Sequence, residues 1–474
     1  MASRGVKRRT LCGQKTRREE TLRRQKSQRQ DAAMRARLLV EGGAGAAAAA
    51  AAASEQTLGE VAIAGGAEAM SAVEDAMAEG AEGAEGGAAA PVTEARGSGA
   101  AGDGRARRRR PAVDLYRSEL MVPEWMVGVP DDLATQWFVI PRPQGKRCLV
   151  VANAGAATCR MRNGSRVEPR FQSHIPGGGR TAGHSSGHYT ILDCILHQPD
   201  NTYYVVDCMC WNGHAMYDCA TEFRLFWLQS KLGEVGANVL GPGNARRFLP
   251  LPCYAASPDG IAAAYGEQFG FTKDCLLFLS KETTYQPGVT PLALLWKDAH
   301  TSEYFIESRS AHEQISTLVL GPCGELLTSD EPPMTIGQLP PDVLAAQQGT
   351  AAALQPGDPV RCAIKQLVLS ADGEEVVGAQ AEFRGHGGRA RAGADSWSKI
   401  IFQYHARTQP LTIVELVNEA VGDGADPAAA AAAAALGSRL TRVGEFAGAG
   451  VPSSDDVAEV TMDGGGEPEQ AMHQ

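Results

Sequence analysis

The hydrophobic pattern divides the chain of 474 residues into a structured middle and two ends that are poor in large apolar residues. From Leu115 to about residue 320, short apolar runs alternate with Gly, Pro and Asn. Runs of this length between turn residues predict β-strands. The clearest are WFVI, RCLVVAN, HYTILDCIL, TYYVVDCMCW and DCLLFLS.

One segment of this middle region has a helical pattern. EFRLFWLQSKL places Phe223, Phe226 and Trp227 at helical spacing, which predicts an amphipathic helix packed on the sheet. Strands combined with such a helix indicate a domain of the α+β class. We expect this domain to occupy residues 111–320.

Outside the domain the pattern weakens. The segments QLVLSADGEEVV and KIIFQYHARTQPLTIVELVNEA suggest ordered additions after residue 320, and no apolar run reaches the length and hydrophobicity of a membrane span. The flanking compositions are typical of flexible chain, with Ala, Gly and Glu before the domain and Ala, Gly and Asp after it. The expected regions are a basic arm (1–40), a disordered linker (41–110), the domain (111–320), a C-terminal extension (321–420) and a disordered tail (421–474).

Charge is distributed unevenly along the chain. The formal net charge is -10, yet the first forty residues carry ten more Lys and Arg than Asp and Glu. Composition from about Glu19 to Val40 favours a helix, but apolar residues are sparse, so we expect partial disorder until an acidic partner binds. RNA phosphates and an acidic protein groove both fit this composition.

Cysteine usage indicates free thiols in the cytoplasm or nucleus. Eleven cysteines show no regular disulfide framework. Cys208, Cys210, His214 and Cys219 could supply metal ligands, but zinc sites normally pair cysteines in turns. A Cys-x-Cys within a strand is expected to place both thiols on one face. The spacing favours buried core thiols over a metal site.

Five motifs resemble, in sequence order, the strand motifs of the covalent nucleotidyltransferases, which include the mRNA guanylyltransferases and their ligase relatives: GKRCLVV, TILDCIL, YVVDCMCWNG, DCLLF and LLWKD. That family uses a lysine as the nucleophile on the α-phosphate. Aligning Gly145 and Arg147 puts Arg142 at the lysine position and Gln144 at an aspartate position. A guanidinium stays protonated and cannot act as the amine nucleophile. The resemblance therefore implies the pocket architecture without catalytic residues or a cofactor; an ordinary mixed sheet is the alternative.

The tryptophans fall into two groups. Trp137, Trp211 and Trp227 lie in apolar patterns, which favours the core. Trp125 and Trp296 are flanked by Pro, Glu, Lys and Asp, which favours a pocket rim. A methylated, positively charged guanine would gain both stacking and a cation–π interaction on such a ring.

The chain resembles the snurportins over about residues 119–297. The carrying blocks are EWMVGVPDDL, GKRCLVVANAG, RFQSHIPGGGR, YTILDCIL, TYYVVDCMCWNGHAMYDC, FRLFWLQSKL and YQPGVTPLALLW. The resemblance implies a guanylyltransferase-like domain that binds the trimethylguanosine cap of spliceosomal small nuclear ribonucleoproteins without catalysis. The implied cap-binding residues are Pro123, Trp125, Gly145, Lys146, Arg147, Arg162 and Trp296, with the serine of the animal proteins replaced by Pro123 and the lysine replaced by Arg162.

The resemblance also covers the basic arm around RQKSQRQDAAMRARLL and implies an importin-β-binding helix that forms on binding. An import adaptor of this kind shuttles between cytoplasm and nucleus. The leucine-containing segment by which animal snurportins engage an exportin has no counterpart in MASRGVKRRTLCG, so recycling by an exportin stays open. An active nucleotidyltransferase and a generic RNA-binding protein are the alternative functions. The implied importin-β contacts are Arg17, Arg18, Arg23, Arg24, Lys26, Arg29, Arg35 and Arg37.

Overall fold

The computed structural model describes eleven stretches of the chain. Within them, no helix is both long enough and apolar enough to cross a membrane. The stretches are 14–27, 36–40, 114–116, 119–179, 188–307, 313–330, 332–348, 354–369, 376–387, 394–421 and 427–448.

Two β-sheets form the predicted domain. The first contains β1 (Met121–Trp125), β2 (Trp137–Pro143), β9 (Tyr254–Ala255), β10 (Lys273–Ser280) and β11 (Gly288–Trp296), in the order β1-β11-β10-β2-β9. The pair β1 and β11 is parallel, whereas β11, β10, β2 and β9 are joined by antiparallel pairing.

The second sheet carries the longest apolar runs. It contains β3 (Lys146–Asn153), β4 (Ala156–Met161), β5 (Thr190–His197), β6 (Thr202–Trp211) and β7 (His214–Ala215), in the order β4-β3-β5-β6-β7, with β8 (Arg247–Pro250) beside β6. Every residue of β5 and β6 is buried. Strands buried on both faces account for the continuous apolar sequence, and all five predicted strands are confirmed.

Helices cover the outer faces of both sheets. They are α3 (Leu133–Gln136), α4 (Thr221–Glu234) and α5 (Pro258–Gly266), preceded by α1 (Gln14–Ser27) and α2 (36–40) from the basic arm. Ser257 begins α5 by accepting a hydrogen bond from the Gly260 amide at 3.3 Å, with Pro258 in the first turn. Sheet 1 and sheet 2 enclose a core that includes Ile140, Leu149 and Leu277.

The predicted orientation of α4 is wrong. Phe223 and Phe226 are 47% and 67% exposed, and the buried side of the helix carries Arg224, Leu228 and Leu232. The guanidinium of Arg224 pairs with an aspartate inside the domain, so this arginine turns inward and the aromatic rings turn outward.

A third sheet follows the first two. It contains β12 (Gln314–Leu320), β13 (Glu325–Leu327), β14 (Thr335–Gln338), β15 (Pro359–Leu369) and β16 (Val376–His386), in the order β14-β13-β12-β15-β16. With α6 (Pro341–Gln348) between its third and fourth strands, it has the Greek-key connectivity of an OB-type barrel. The predicted boundary at residue 320 is therefore wrong, because it divides this sheet after its first strand.

Three helices follow the third sheet and pack back onto the first. They are α7 (Trp397–Thr408), α8 (Ile413–Glu419) and α9 (Pro427–Gly448). Thr412 and Glu415 form a reciprocal capping box at the start of α8. KIIFQYHARTQPLTIVELVNEA is ordered as expected, and the described ends of QLVLSADGEEVV belong to β15 and β16, while 370–375 lie outside the described residues. The disorder predicted from residue 421 is wrong for α9. The predicted linker, 41–110, lies outside the described residues.

Candidate functional site

Two buried aspartates face each other in the centre of sheet 2. Asp193 on β5 and Asp207 on β6 occupy opposite positions, and both are fully buried. Opposed carboxylates repel unless each has a partner. Arg147 binds Asp193 at 3.1 and 2.7 Å, and Arg224 binds Asp207 at 2.7 and 2.8 Å. The strands therefore carry two neutralised ion pairs.

Arg147 also ties the two sheets together. Its guanidinium donates to the Met121 carbonyl at 2.6 Å, and the Tyr285 hydroxyl donates to Asp193 at 2.8 Å. Burial alone would lower the pKa of Arg147, but Asp193 and its hydrogen bonds raise it. This residue was expected to bind the cap, and the structure places it in an internal network.

The position of the expected nucleophile carries an ion pair. Arg142 on β2 donates to Asp274 at 2.9 Å, and the Ser302 hydroxyl donates to the other oxygen of that carboxylate at 3.0 Å. The Arg142 guanidinium also lies 3.6 Å from the Cys275 sulfur. The residue at the lysine position is thus held as a permanent cation.

Gly145 has a packing role at the turn between β2 and β3. A Cβ at this position would lie 2.5 Å from the Leu196 carbonyl oxygen and 2.8 Å from Ile195 Cγ2. Lys146 follows it, partly buried, at the start of β3. Arg162 follows β4 at the surface; desolvation, and then the positive charge of Arg147, lower its pKa. Lys146 and Arg162 therefore add positive charge at the same end of the β3–β4 pair.

Trp125 lies at the end of β1. Its ring is half-buried and contacts Phe402 of α7, with ring centroids 4.7 Å apart. The Lys297 ammonium lies 5.0 Å from the Trp125 centroid. Trp125 lies four residues after Met121 in an extended strand, which corresponds to a distance of about 13 Å between the two residues. The structure therefore brings the predicted cap-binding residues into two groups, not one.

A cavity of about 260 Å³ is lined by Phe402 and Lys297, both of which contact the Trp125 ring, but Trp125 itself does not line it. Its wall on the domain side includes Val127 and Lys297, and its opposite wall includes Phe402, His405 and Glu415. Burial lowers the pKa of His405, so its imidazole is neutral at pH 7 and can both donate and accept one hydrogen bond. The cavity combines aromatic, cationic and carboxylate groups.

The predicted position of Trp296 is wrong. The side chain is fully buried, and its indole N–H donates to the Leu411 carbonyl at 2.9 Å. Leu416 and Val417 of α8 belong to the same core cluster. Because the C-terminal helices cover this face of sheet 1, the ring does not lie at a pocket rim. Trp137 and Trp211 are buried as expected.

Pro123 lies at an irregularity of β1. It faces Thr290 across the parallel pair, whereas the next residue, Glu124, faces Leu294. This register shift turns the Glu124 side chain inward, where it is 3% exposed. Pro123 itself is buried.

The cysteines of β6 lie on opposite faces, contrary to the prediction. Cys210 faces Ile191 and Cys208 faces Leu192, so the pairing skips Met209. A β-bulge of this kind reverses the alternation by one residue. Over the part of the chain that the structure describes, no group of three or more His, Cys, Asp or Glu is arranged to hold a metal.

The basic arm is helical over 14–27 and lies against the domain, in contrast to the expected helix that forms on binding. Arg17 and Arg18 face the body of the protein, whereas Arg23, Arg24 and Arg37 are exposed. The arm is also anchored at α2, where Leu39 is 1% exposed and its carbonyl accepts from the Tyr116 hydroxyl at 2.6 Å. Arg29, Arg35 and the Lys26 side chain lie outside the described residues.

Sequence reasoning missed the contribution of the C-terminal region to this site. Phe402 and His405 lie more than 270 residues from Trp125, and nothing in their local sequence marks a ligand site. Glu124 and Lys297 each adjoin a tryptophan that was singled out, so their proximity to the site was visible in the sequence.

Comparison with known proteins agrees with the sequence resemblance. Residues 119–297 match the family described as "Snurportin1, m3G cap-binding domain". Among solved structures, a mycobacterial DNA ligase D complexed with ATP and MES is 16% identical, with a TM-score of 0.26, over 58% of this chain and 97% of that chain. The ATP-dependent DNA ligase from bacteriophage T7 in complex with ATP is 8% identical, with a TM-score of 0.26, over 57% and 99%.

The family match covers β1 through β11, and the α+β class predicted for this region is confirmed. Residues 119–297 therefore form a domain of the snurportin m3G cap-binding type.

Proposed function

We propose that this protein is a non-enzymatic import adaptor that binds the trimethylguanosine cap of small nuclear ribonucleoproteins and links them to importin β. The supporting observation is the cavity of about 260 Å³, which lies between Met126, Val127 and Lys297 of the matched domain and C-terminal residues from Phe305 to Glu415. In this proposal the adaptor shuttles between cytoplasm and nucleus. Export by an exportin remains an open part of it.

The chemistry of the cavity suits a methylated guanine attached to phosphates. Phe402 lines the cavity and supplies aromatic surface for a positively charged base, and the Trp125 ring packs against Phe402. Lys297 supplies a cation for the phosphate bridge, and His405 and Glu415 supply polar atoms for the base edge. Arg162 and Lys146, at one end of the β3–β4 pair, attract RNA phosphates beyond the cap in this proposal.

The absence of a reaction is inferred from the residue at the nucleophile position. Arg142 is held by Asp274 and cannot form a phosphoamide. Incubation of the full chain with α-labelled GTP or ATP, followed by denaturing electrophoresis, should yield no labelled band. A band that disappears when a lysine is replaced would favour the nucleotidyltransferase alternative.

Trp125→Ala should weaken binding of a trimethylguanosine cap analogue roughly 5- to 150-fold, because base stacking on an aromatic ring contributes about 1 to 3 kcal/mol. The dissociation constant can be measured by calorimetry with the full chain. Trp227→Ala is the matched control, since Trp227 is also half-buried but lies on α4.

Equal affinities of wild type and a folded Trp125→Ala variant would contradict the placement of the cap. A parallel competition with monomethylated and unmethylated cap analogues separates cap recognition from general RNA binding. Affinity that ignores methylation would favour the generic RNA-binding alternative.

Reversal of two exposed arm charges, in Arg23→Glu/Arg24→Glu, should weaken importin β binding roughly 10- to 100-fold, because attraction to an acidic groove becomes repulsion. Cap affinity should not change. Surface plasmon resonance with immobilised importin β measures the effect. Deletion of 1–40 is unsuitable as a test, since it removes Leu39 from the core.

Arg246→Glu is the control for this variant, because it reverses an arginine on the domain. If importin β still binds the Arg23→Glu/Arg24→Glu variant with wild-type affinity, the alternative interpretation, in which the arm binds RNA, is favoured.

A further inference from the structure

One arginine of the basic arm occupies a site built from three distant parts of the chain. Arg17 donates to both carboxylate oxygens of Glu124, at 2.8 and 2.7 Å. Its guanidinium carbon lies 4.3 Å from the centre of the Trp397 ring. Asp330 accepts a hydrogen bond from the Trp397 amide at 2.8 Å, and it lies close enough to Arg17 for the charge of that arginine to lower its pKa. We call Glu124, Asp330 and Trp397 the arginine socket.

The arginine socket contains two buried acids. Glu124 and Asp330 are 3% and 8% exposed. Burial raises the pKa of both carboxyl groups, and the charge of Arg17 acts against this rise. The charge of Asp330 further raises the pKa of Glu124. A cation between them offsets both the burial and the repulsion.

The partners of Glu124 come from the arm. Within the described residues, its carboxylate accepts hydrogen bonds from Arg17 and from the Gln14 amide, the latter at 2.9 Å. Gln14 also donates to the Trp125 carbonyl at 3.1 Å. Departure of the arm would therefore remove the hydrogen bonds that now satisfy Glu124.

Contacts at both ends of α1 fix its direction. Lys15 forms an ion pair with Asp131, and at the far end the Gln25 side chain accepts from the amide and the hydroxyl of Thr284, at 2.9 and 2.7 Å. α1 consequently runs along β11. It covers the β1–β11 pair between the arginine socket and the start of β11.

We propose that the arginine socket is an interaction surface for the basic arm of this chain, and that it holds the arm in competition with an acidic receptor. The competition rests on the proposed function, whereas the docking does not. The socket binds Arg17 through the Glu124 carboxylate, the nearby charge of Asp330 and the face of Trp397, and an acidic receptor groove would use the same kinds of group. A receptor that surrounds α1 needs the side that the socket now covers.

Hydrogen exchange measured on the full chain tests the docking. In the wild type, the amides of 14–27 should be protected, and in Arg17→Ala they should exchange about tenfold faster or more, because the helix loses its buried partner. Arg23→Ala is the matched control: it removes the same charge from the same helix, but its side chain is 77% exposed. Equal exchange in the two variants, or unprotected amides in the wild type, would overturn the proposal.

The competition is tested with Glu124→Gln, which leaves the arm intact. Importin β should bind this variant about tenfold more tightly than wild type, since a larger fraction of arms is undocked. Glu234→Gln, at an exposed position of α4, should bind like wild type. If hydrogen exchange in the arm is faster in Glu124→Gln but the affinity for importin β is unchanged, the proposed competition is contradicted. If importin β binds neither protein, the proposed function fails, and the exchange measurement still decides the docking.

A loss of folding in Glu124→Gln would appear as faster exchange in β5 and β10 as well as in α1. Arg17→Ala then decides the docking, because Arg17 belongs to the arm and its truncation leaves both sheets unchanged.

Discussion

Replacement of Arg224 with leucine is expected to lower the free energy of unfolding by about 3 to 5 kcal/mol, because it leaves Asp207 charged, buried and unpaired. Arg224 is fully buried and contacts both oxygens of that carboxylate. It also donates to the Thr283 carbonyl at 2.8 Å. Urea unfolding followed by far-ultraviolet circular dichroism measures the change.

Two variants separate the effect of the ion pair from the effect of changing α4. In Arg224→Leu/Asp207→Leu, both charges are removed, so much of the lost stability should return. Lys231→Ala breaks the exposed pair with Glu234 on the same helix and should change stability by less than about 0.5 kcal/mol. A loss below about 1 kcal/mol in Arg224→Leu would contradict the assignment of Arg224 as the essential partner of Asp207.

The strands of the domain could be predicted from sequence because their apolar runs are buried on both faces. β5 and β6 can be recognised from their own sequence. Continuous runs of Ile, Leu, Val and Tyr between turns fit few secondary structures other than a buried strand. The same reasoning failed for α4, where Phe223 and Phe226 have helical spacing but lie outside. The deciding residue was Arg224, whose inward position depends on Asp207, seventeen residues away.

The candidate site could be predicted only on its domain side. Trp125 and Lys297 lie within recognisable motifs; Lys297 lines the cavity, and Trp125 contacts Lys297 and Phe402 without lining it. The opposite wall comes from α7, which follows a separate sheet. Neither the order of the strands in that sheet nor the direction in which α7 returns is encoded in a local pattern. No local sequence pattern therefore predicts that the Phe402 ring packs against Trp125.

Bulges caused a second kind of error. A prediction from alternation places Cys208 and Cys210 on one face, but an extra residue in β6 separates them. Similarly, the register shift after Pro123 turns Glu124 inward. A one-residue irregularity exchanges the faces of a strand, so patterns of period two are reliable only between bulges.

Trp296→Ala is expected to lower the free energy of unfolding by about 3 to 5 kcal/mol, as for other large buried aromatic residues. The indole is fully buried, lies 6.0 Å from the Tyr265 ring and donates to Leu411. Its removal leaves a cavity between sheet 1 and α8 and an unpaired carbonyl. Thermal and urea unfolding both measure the loss, with half-buried Trp125→Ala as the comparison.

The two tryptophans that the sequence placed together should thus behave differently. Trp125→Ala should weaken cap binding with a small effect on stability, whereas Trp296→Ala should destabilise the fold. Trp296→Phe distinguishes the roles most directly, because phenylalanine preserves much of the packing but cannot donate to Leu411. It should retain cap affinity within about twofold, since the structure places the ring inside the core. A stable Trp296→Phe protein that no longer binds the cap would show that the residue contacts the ligand, and that α8 must move away from sheet 1 for binding to occur.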